Sequence, residues 1–379
     1  MVTVATTSTG DHETTYDQNS VMDRELDNQT DRANVVIVGA GVGGLTAAVQ
    51  LFSQGVPFRI LEARERTGGR LLSIPAGGGR LDLGATWFWP NESRINALVR
   101  DAGLRSFPQH LDGDMMYQAG TVQRIPGNQL DVASGRIADG MQSITDALES
   151  SLPKDWISLG VVVTGIERAV AGMTVHTDVE AVEASHVVLA VPPALALQTI
   201  DFGEGLDRDI ATIARTTPVW MGSTVKVVAV FEAAFWRDSG LAGAAFSHDG
   251  PMREIHDMSG PDGTPAALFG FCSIPPGAPA PTEQEVRDQF AALFGPEGAR
   301  ATEIHVHDWR AEEQTSHVAT LGLQNYETYG HPAFQEPAMD GRLHWASTET
   351  SPIAPGHVEG ALVAGARAAE AILDDLRSP

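Results

Sequence analysis

The feature that most constrains the fold is a short β-branched run, Val35-Val36-Ile37-Val38, leading directly into Gly39-Ala40-Gly41-Val42-Gly43-Gly44. An unbroken apolar run of this length is the pattern of a strand buried on both faces of a parallel sheet. Leu45 to Ser53 then reads as a helix with Leu45, Ala48, Val49 and Phe52 on one face, ended by Gly55. Pro57 to Leu61 is a second strand, and Glu62 stands at its carboxyl end. In such a βαβ unit the spacing Gly39-x-Gly41-x-x-Gly44 has a specific physical meaning. Gly39 permits the tight turn, Gly41 lets the backbone approach a pyrophosphate, and Gly44 lets helix and strand pack closely. The start of the helix offers free N–H groups and a positive dipole end to phosphates. Glu62, 23 positions after Gly39, would accept hydrogen bonds from ribose hydroxyls and would repel a 2′-phosphate.

The rest of the chain sets this unit in a larger frame. Residues 1–31 are polar and acidic with one basic residue, Arg24, and are expected to form a disordered or loosely packed leader. Residues 91–104 read as a helix, and Glu283 to Phe294 as another. Val161 to Val163, Met173 to Thr177 and His186 to Val191 read as strands, and Val358 to Leu376, rich in alanine, as a helix. The strand–helix signals fall in separated blocks. The fold class expected is therefore α/β, with a discontinuous Rossmann-type dinucleotide-binding domain from 32–90, 155–200 and 335–379. An inserted α+β substrate-binding domain would come from 91–154 and 201–334.

Composition excludes several classes of function. A net charge of −24 repels nucleic acid and anionic membrane surfaces. With Cys272 as the single cysteine, an internal disulfide is impossible and a cysteine-based zinc site is not expected. His305-x-His307 would share a strand face, but nothing else in the sequence supports a metal. There is no apolar run of ~18 residues and no signal peptide, so a cytoplasmic location is expected.

Further motifs carry a family resemblance. Val35–Gly44, Glu62-Ala63-Arg64 and Thr67-Gly68-Gly69-Arg70 resemble the flavin-containing amine oxidases. So do Leu81-Asp82-Leu83-Gly84-Ala85-Thr86-Trp87, Met221 to Val227 with Phe235-Trp236-Arg237, and Ala346 to Thr350 with Gly356 to Ala361. The resemblance implies FAD as cofactor and hydride removal from a carbon next to nitrogen, giving an imine and hydrogen peroxide. It implies cofactor contacts from Gly39, Gly41, Gly43, Gly44, Glu62 and Ala63, with Arg64, Gly69 and Arg70 on the pyrophosphate side. Gly84, Ala85, Thr86 and Trp87 would run along the flavin, and Val163 would meet the adenine end. Ser347, Glu349, Gly356, His357 and Val358 would line the ribityl and flavin end.

Lys226 is the first catalytic candidate. The matching lysine of the family holds a water against the flavin and assists reoxidation by oxygen, and a fixed cation there would stabilise developing negative charge. His357 falls at the family's second cage tyrosine and could act as acid or base. Counting back from Ala346 without gaps puts Ala319 and Thr320 at the flavin-linking cysteine and first cage tyrosine; a shifted register puts Asn325-Tyr326 there. Neither register supplies a cysteine, so noncovalent FAD is expected. In the ungapped register the aromatic cage is replaced by Thr320 and His357, which suggests a larger or more polar substrate. Trp87, Phe88, Trp89, Met115, Met116, Tyr117, Trp220 and Phe271 could line a cavity or simply pack in the core. Arg94 could hold a substrate carboxylate or lie on the surface. The partners expected are an amine-type small molecule and molecular oxygen, with no nucleic acid and no membrane, and a homodimer is compatible with the sequence. Two alternatives stay open, a flavin-dependent desaturase or dehydrogenase of a specialised metabolite and a flavin-binding protein without turnover.

Overall fold

The computed structural model describes residues 35–378 apart from Pro276 and Gln324, so the expectation for residues 1–31 lies outside the described residues. Val35–Val38 is the central strand of a parallel sheet. His186–Leu189 and then Leu343–Trp345 lie on one side of it, Phe58–Glu62 and then Ile157–Leu159 on the other. Both faces of this sheet are covered, which is why its central strand reads as continuous apolar sequence. On one face Val35 and Ile37 pack with Leu45, Ala48 and Leu51 of the helix Val42–Ser53 and with Leu362, Ala369 and Ile372 of the helix Val358–Arg377. On the other, Val36 and Val38 meet Val163, Ile166 and Val175. These belong to an antiparallel meander, Val163–Ala169, Gly172–Thr177 and Ala181–Ala184. Of the expected strand Val161 to Val163 only Val163 is in a strand, at the start of the meander; Val161 and Val162 belong to the link from Ile157–Leu159.

The two long helices are pressed together because small residues face each other. A Cβ on Gly365 would lie 2.2 Å from the Gly43 carbonyl oxygen, so neither helix could approach this closely with a larger residue there.

A second sheet runs in the order Glu303–Asp308, Val225–Phe231, Ala266–Cys272, Met252–Asp257, Leu241–Ser247, Asp114–Ala119 and Thr121–Ile125. Val225–Phe231 lies inside it and is buried along its whole length. Its two faces serve different cores. Val225, Val227 and Ala229 face the helix Glu283–Phe294, which starts at a Thr282/Glu285 capping box. Val228 and Val230 face Ala76, Leu81 and Leu83. Strand alternation puts Lys226 on this second face, toward the segment that follows Leu83.

Two helices from the 91–154 span, grouped in the sequence with the inserted domain, pack on the side of the parallel sheet. Ile95 and Val99 of Ser93–Asp101, and Ile144 and Leu148 of Ser143–Ser150, share the core of the helix Val42–Ser53. Residues 114–125 do join the second sheet, as its last two strands. No helix among the described residues is long and apolar enough to cross a membrane.

Candidate active site

A cavity of about 1020 Å³ runs from the glycine turn to the second sheet. That is at the upper end of the ~300–1,000 Å³ usual for small-molecule sites, as a dinucleotide plus a substrate would need. At one end Gly39 has φ +98°, a left-handed turn that a side chain would strain. Gly41 precedes the helix with φ −80°, and a Cβ added to it meets nothing within 4 Å because it would point into the cavity. Gly44 does not line the cavity; a Cβ there would strike the Gly39 carbonyl oxygen at 2.0 Å, so this glycine serves packing. The helix has no side-chain cap, leaving its first N–H groups to a ligand.

Glu62 is buried, and backbone orients its carboxylate. Oε2 accepts from the Ala40 amide at 2.7 Å and Oε1 from the Arg64 amide at 2.9 Å. Arg64 lines the cavity but its guanidinium is tied to Glu312 Oε2 at 3.1 Å and Thr315 Oγ1 at 2.7 Å. Arg70 is held bidentately by Glu349, at 2.5 and 3.1 Å. Glu349 is fully buried behind the wall and does not itself line the cavity. Ser347 does line it, and its buried Oγ has no hydrogen-bond partner, as expected of a group that meets a ligand. Ala63, Gly43, Gly69, Val163, Gly356 and Val358 all reach the cavity.

Lys226 is 0% exposed. Nζ donates to the Gly84 carbonyl at 2.8 Å and to Thr86 Oγ1 at 2.5 Å, and lies 4.3 Å from the Phe269 ring centroid. Burial pushes this ammonium down from 10.5 to about 7, opposed by the attraction of Asp82 and helped by Arg136. The amine is therefore fixed against the Gly84–Trp87 segment, which lines the cavity with Gly84, Ala85, Thr86 and Trp87.

The substrate end is aromatic. Trp87, Trp89, Trp220 and Phe271 line it as the sequence suggested, and so do Tyr326 and Tyr329. His357 lies among them, packed on Trp89 with ring centroids 4.5 Å apart and the planes tilted by 31°. Thr320 is a correction. It does not line the cavity, and its Oγ1 is occupied with His317, donating to the carbonyl at 2.7 Å and accepting from the amide at 3.2 Å. The tyrosines that follow occupy the wall instead, so the loss of aromatic character inferred from the ungapped register does not occur. Phe88 packs in the core, Met115 to Tyr117 sit in the penultimate strand of the second sheet and do not line the cavity, and Arg94 is exposed. Among the described residues no cluster could hold a metal; His305 and His307 pair with Glu303 and Glu312.

Sequence reasoning missed Glu254, the stretch around Gln314 to Val318, and Glu92, which holds His357 from behind. Only the shifted register at Asn325-Tyr326 carried a signal for any of the added wall.

The family of flavin-containing amine oxidoreductases matches residues 42–136 and 115–373. AofH of Mycobacterium tuberculosis, which carries a flavin-containing monoamine oxidase name, is 27% identical over 91% of this chain and 98% of its own. The putrescine oxidase of Kocuria rosea is 26% identical over 90% of this chain and 95% of its own. The solved structure of a cyclohexylamine oxidase from Brevibacterium oxydans shares the fold, with a TM-score of 0.79 at 23% identity over 91% of this chain and all of that one. The matched span includes Gly43 and Gly44, the second glycine pair and the strand of Lys226, and the chain accordingly belongs to the flavin-containing amine oxidoreductases.

Proposed function

We propose that the chain is an oxidase that binds FAD noncovalently and converts an amine to an imine, with hydrogen peroxide as the second product. The observation that carries this reading is a buried, hydrogen-bonded Lys226 fixed against the Gly84–Trp87 wall of a cavity whose other end is a dinucleotide cradle. The cradle suits FAD: Gly41 leaves space where a side chain would intrude, Ser347 offers an unpartnered hydroxyl, and Glu62 is placed for a ribose. Cys272, the single cysteine, is buried in the second sheet and does not line the cavity, in keeping with noncovalent binding. Bound there, FAD would supply the acceptor for the hydride and, through oxygen, the route to peroxide.

The chain's own residues define what enters. The aromatic wall of Trp87, Trp89, Trp220, Phe271, Tyr326 and Tyr329 excludes water and packs on a hydrocarbon. The arginines on the cavity wall are already paired, Arg64 with Glu312, Arg70 with Glu349 and Arg310 with Asp308, so none is free for a substrate carboxylate. Glu254 also lines the cavity. This favours an amine over an amino acid, in line with the amine named for the putrescine oxidase relative. Aerobic peroxide release across monoamines, diamines and amino acids tests the reading. Peroxide with aldehyde and ammonia is expected from an amine; an intact unsaturated product would make the chain a desaturase, and no bleaching of the yellow protein by any amine under anaerobic conditions would remove the catalytic reading.

A further inference from the structure

An amine with an ordinary pKa of ~10 reaches the site at neutral pH as an ammonium, and only its free lone pair can assist departure of a hydride from the neighbouring carbon. A group at the site that takes that proton makes the abundant ammonium form productive. His357 stands at the cavity wall with its side chain 43% exposed, and Glu92 stands behind it at 4%. Glu92 Oε1 lies 2.7 Å from His357 Nδ1, while Oε2 accepts from the Trp89 amide at 2.8 Å. An ionised carboxylate can only accept, so the proton between Glu92 and the imidazole sits on Nδ1. The neutral ring then presents Nε2 as a bare acceptor, and among the described residues Nε2 has no hydrogen-bond partner.

The ring is held by more than this one bond. It packs at a tilt on Trp89, whose amide fixes the other oxygen of the same carboxylate. The next turn of chain is clamped as well, since Glu359 accepts from the Arg94 amide at 3.1 Å and the Ile95 amide at 2.8 Å. Those two bonds engage both Glu359 oxygens in seating the C-terminal helix on the start of Ser93–Asp101. Arg94 is exposed, and Tyr329 borders Gly356, so Glu92 is the charged group in direct contact with His357.

We propose that His357 is the base that takes the substrate's ammonium proton, and that Glu92 is the positioning residue that sets its tautomer; this rests on the amine-oxidising reading above. In the step one N–H bond of the ammonium breaks, the electron pair stays on the substrate nitrogen, and the proton forms an N–H bond at His357 Nε2. The imidazolium is stabilised by the Glu92 carboxylate, and the exposed ring returns the proton to water. The substrate nitrogen is then neutral, and its lone pair is available as the hydride leaves.

Glu92→Gln tests this on the FAD-loaded protein, with an amine that gives peroxide. The glutamine oxygen can still accept from the Trp89 amide, but its NH₂ would donate to Nδ1 and drive the imidazole proton to Nε2. The expected result is a loss of ~100-fold in kcat/KM at pH 7 that shrinks toward wild type above the substrate's own pKa, where no base is needed. His357→Asn should give the same pH-selective loss, and the double variant no more than His357→Asn alone. Imidazole ¹⁵N shifts, assigned by difference from His357→Asn, should place the proton on Nδ1 in wild type and on Nε2 in Glu92→Gln. Flavin absorbance reports retention of the fold, and Glu92→Asp, which keeps an acceptor, should recover much of the neutral-pH rate. A loss uniform across pH, or an unchanged tautomer, overturns the proposal while leaving amine oxidation standing. Absence of peroxide from every amine would instead remove the underlying reading.

Discussion

Replacing Gly44 with alanine is expected to destabilise the protein by ~3 kcal/mol or more, whereas Gly41→Val is expected to keep the fold and abolish flavin binding. The two glycines belong to one motif but meet different surroundings. At Gly44 even the first carbon of a side chain would lie 2.0 Å from the Gly39 carbonyl oxygen and 3.2 Å from Ala190. Both are part of the rigid junction of turn, helix and sheet, so relief requires the helix Val42–Ser53 to move off the sheet. That helix is also pinned from behind, because Gly43 and Gly365 bring it against the C-terminal helix at backbone contact. The strain therefore has no soft direction in which to dissipate. At Gly41 the backbone is in an extended conformation open to any residue, and nothing stands within 4 Å of the new carbon. Valine there costs little in the protein and fills the space a pyrophosphate would use. Thermal unfolding of the flavin-free proteins, with FAD titration followed by absorbance, separates the two. Gly41→Val should unfold within ~2 °C of flavin-free wild type and bind FAD at least ~100-fold more weakly. Retained FAD binding in Gly41→Val would remove the cradle from its assigned position.

The contrast between those glycines also shows what could be read before the structure. The cradle was legible because local rules determine it: a β-branched run, a left-handed turn at Gly39 and a helix start lie within ten residues. Lys226 was legible because a lone ammonium in an apolar, β-branched strand must have a reason to be there. Thr320 was misplaced for a physical reason. The chain from Trp309 to Phe334 is short 3₁₀ turns and loops with no repeating face, so its register against the cavity is set by tertiary contacts that no sequence period reports. Glu92 and His357 lie 265 positions apart, and nothing local to either marks the other. That Ser93–Asp101 and Ser143–Ser150 pack in the core of the helix Val42–Ser53 was not legible, because an apolar face states that something covers it, not which element does so.

Lys226→Met is expected to make the protein more stable at neutral pH and nearly inactive. The lysine is depressed from 10.5 to about 7 in the folded chain, chiefly by burial. Between those values the unfolded chain holds the proton and the folded chain does not, so stability rises with pH across the window from about 7 to 10.5. Below pH 7 the full penalty of a buried charge is present, roughly 5 kcal/mol on this shift. Methionine removes that penalty and nearly matches the side chain in volume. Against this, the Gly84 carbonyl and Thr86 hydroxyl lose their donor, which costs ~1–3 kcal/mol. The net expectation is a gain of roughly 2–4 kcal/mol for the flavin-free variant at pH 7, fading to nothing or reversing near pH 10.5. Denaturant unfolding of both proteins at pH 6, 7, 9 and 10.5 reads this directly. Aerobic turnover should fall by ~100-fold, because the amine held behind the Gly84–Trp87 wall of the cavity is gone, and stopped-flow should place the larger loss in reoxidation by oxygen. A chain that keeps an unstable buried cation which methionine could replace at a profit in stability keeps it for chemistry. Unchanged turnover, or a variant less stable than wild type at pH 7, would show that Lys226 is a structural hydrogen-bond donor to Gly84 and Thr86 and nothing more.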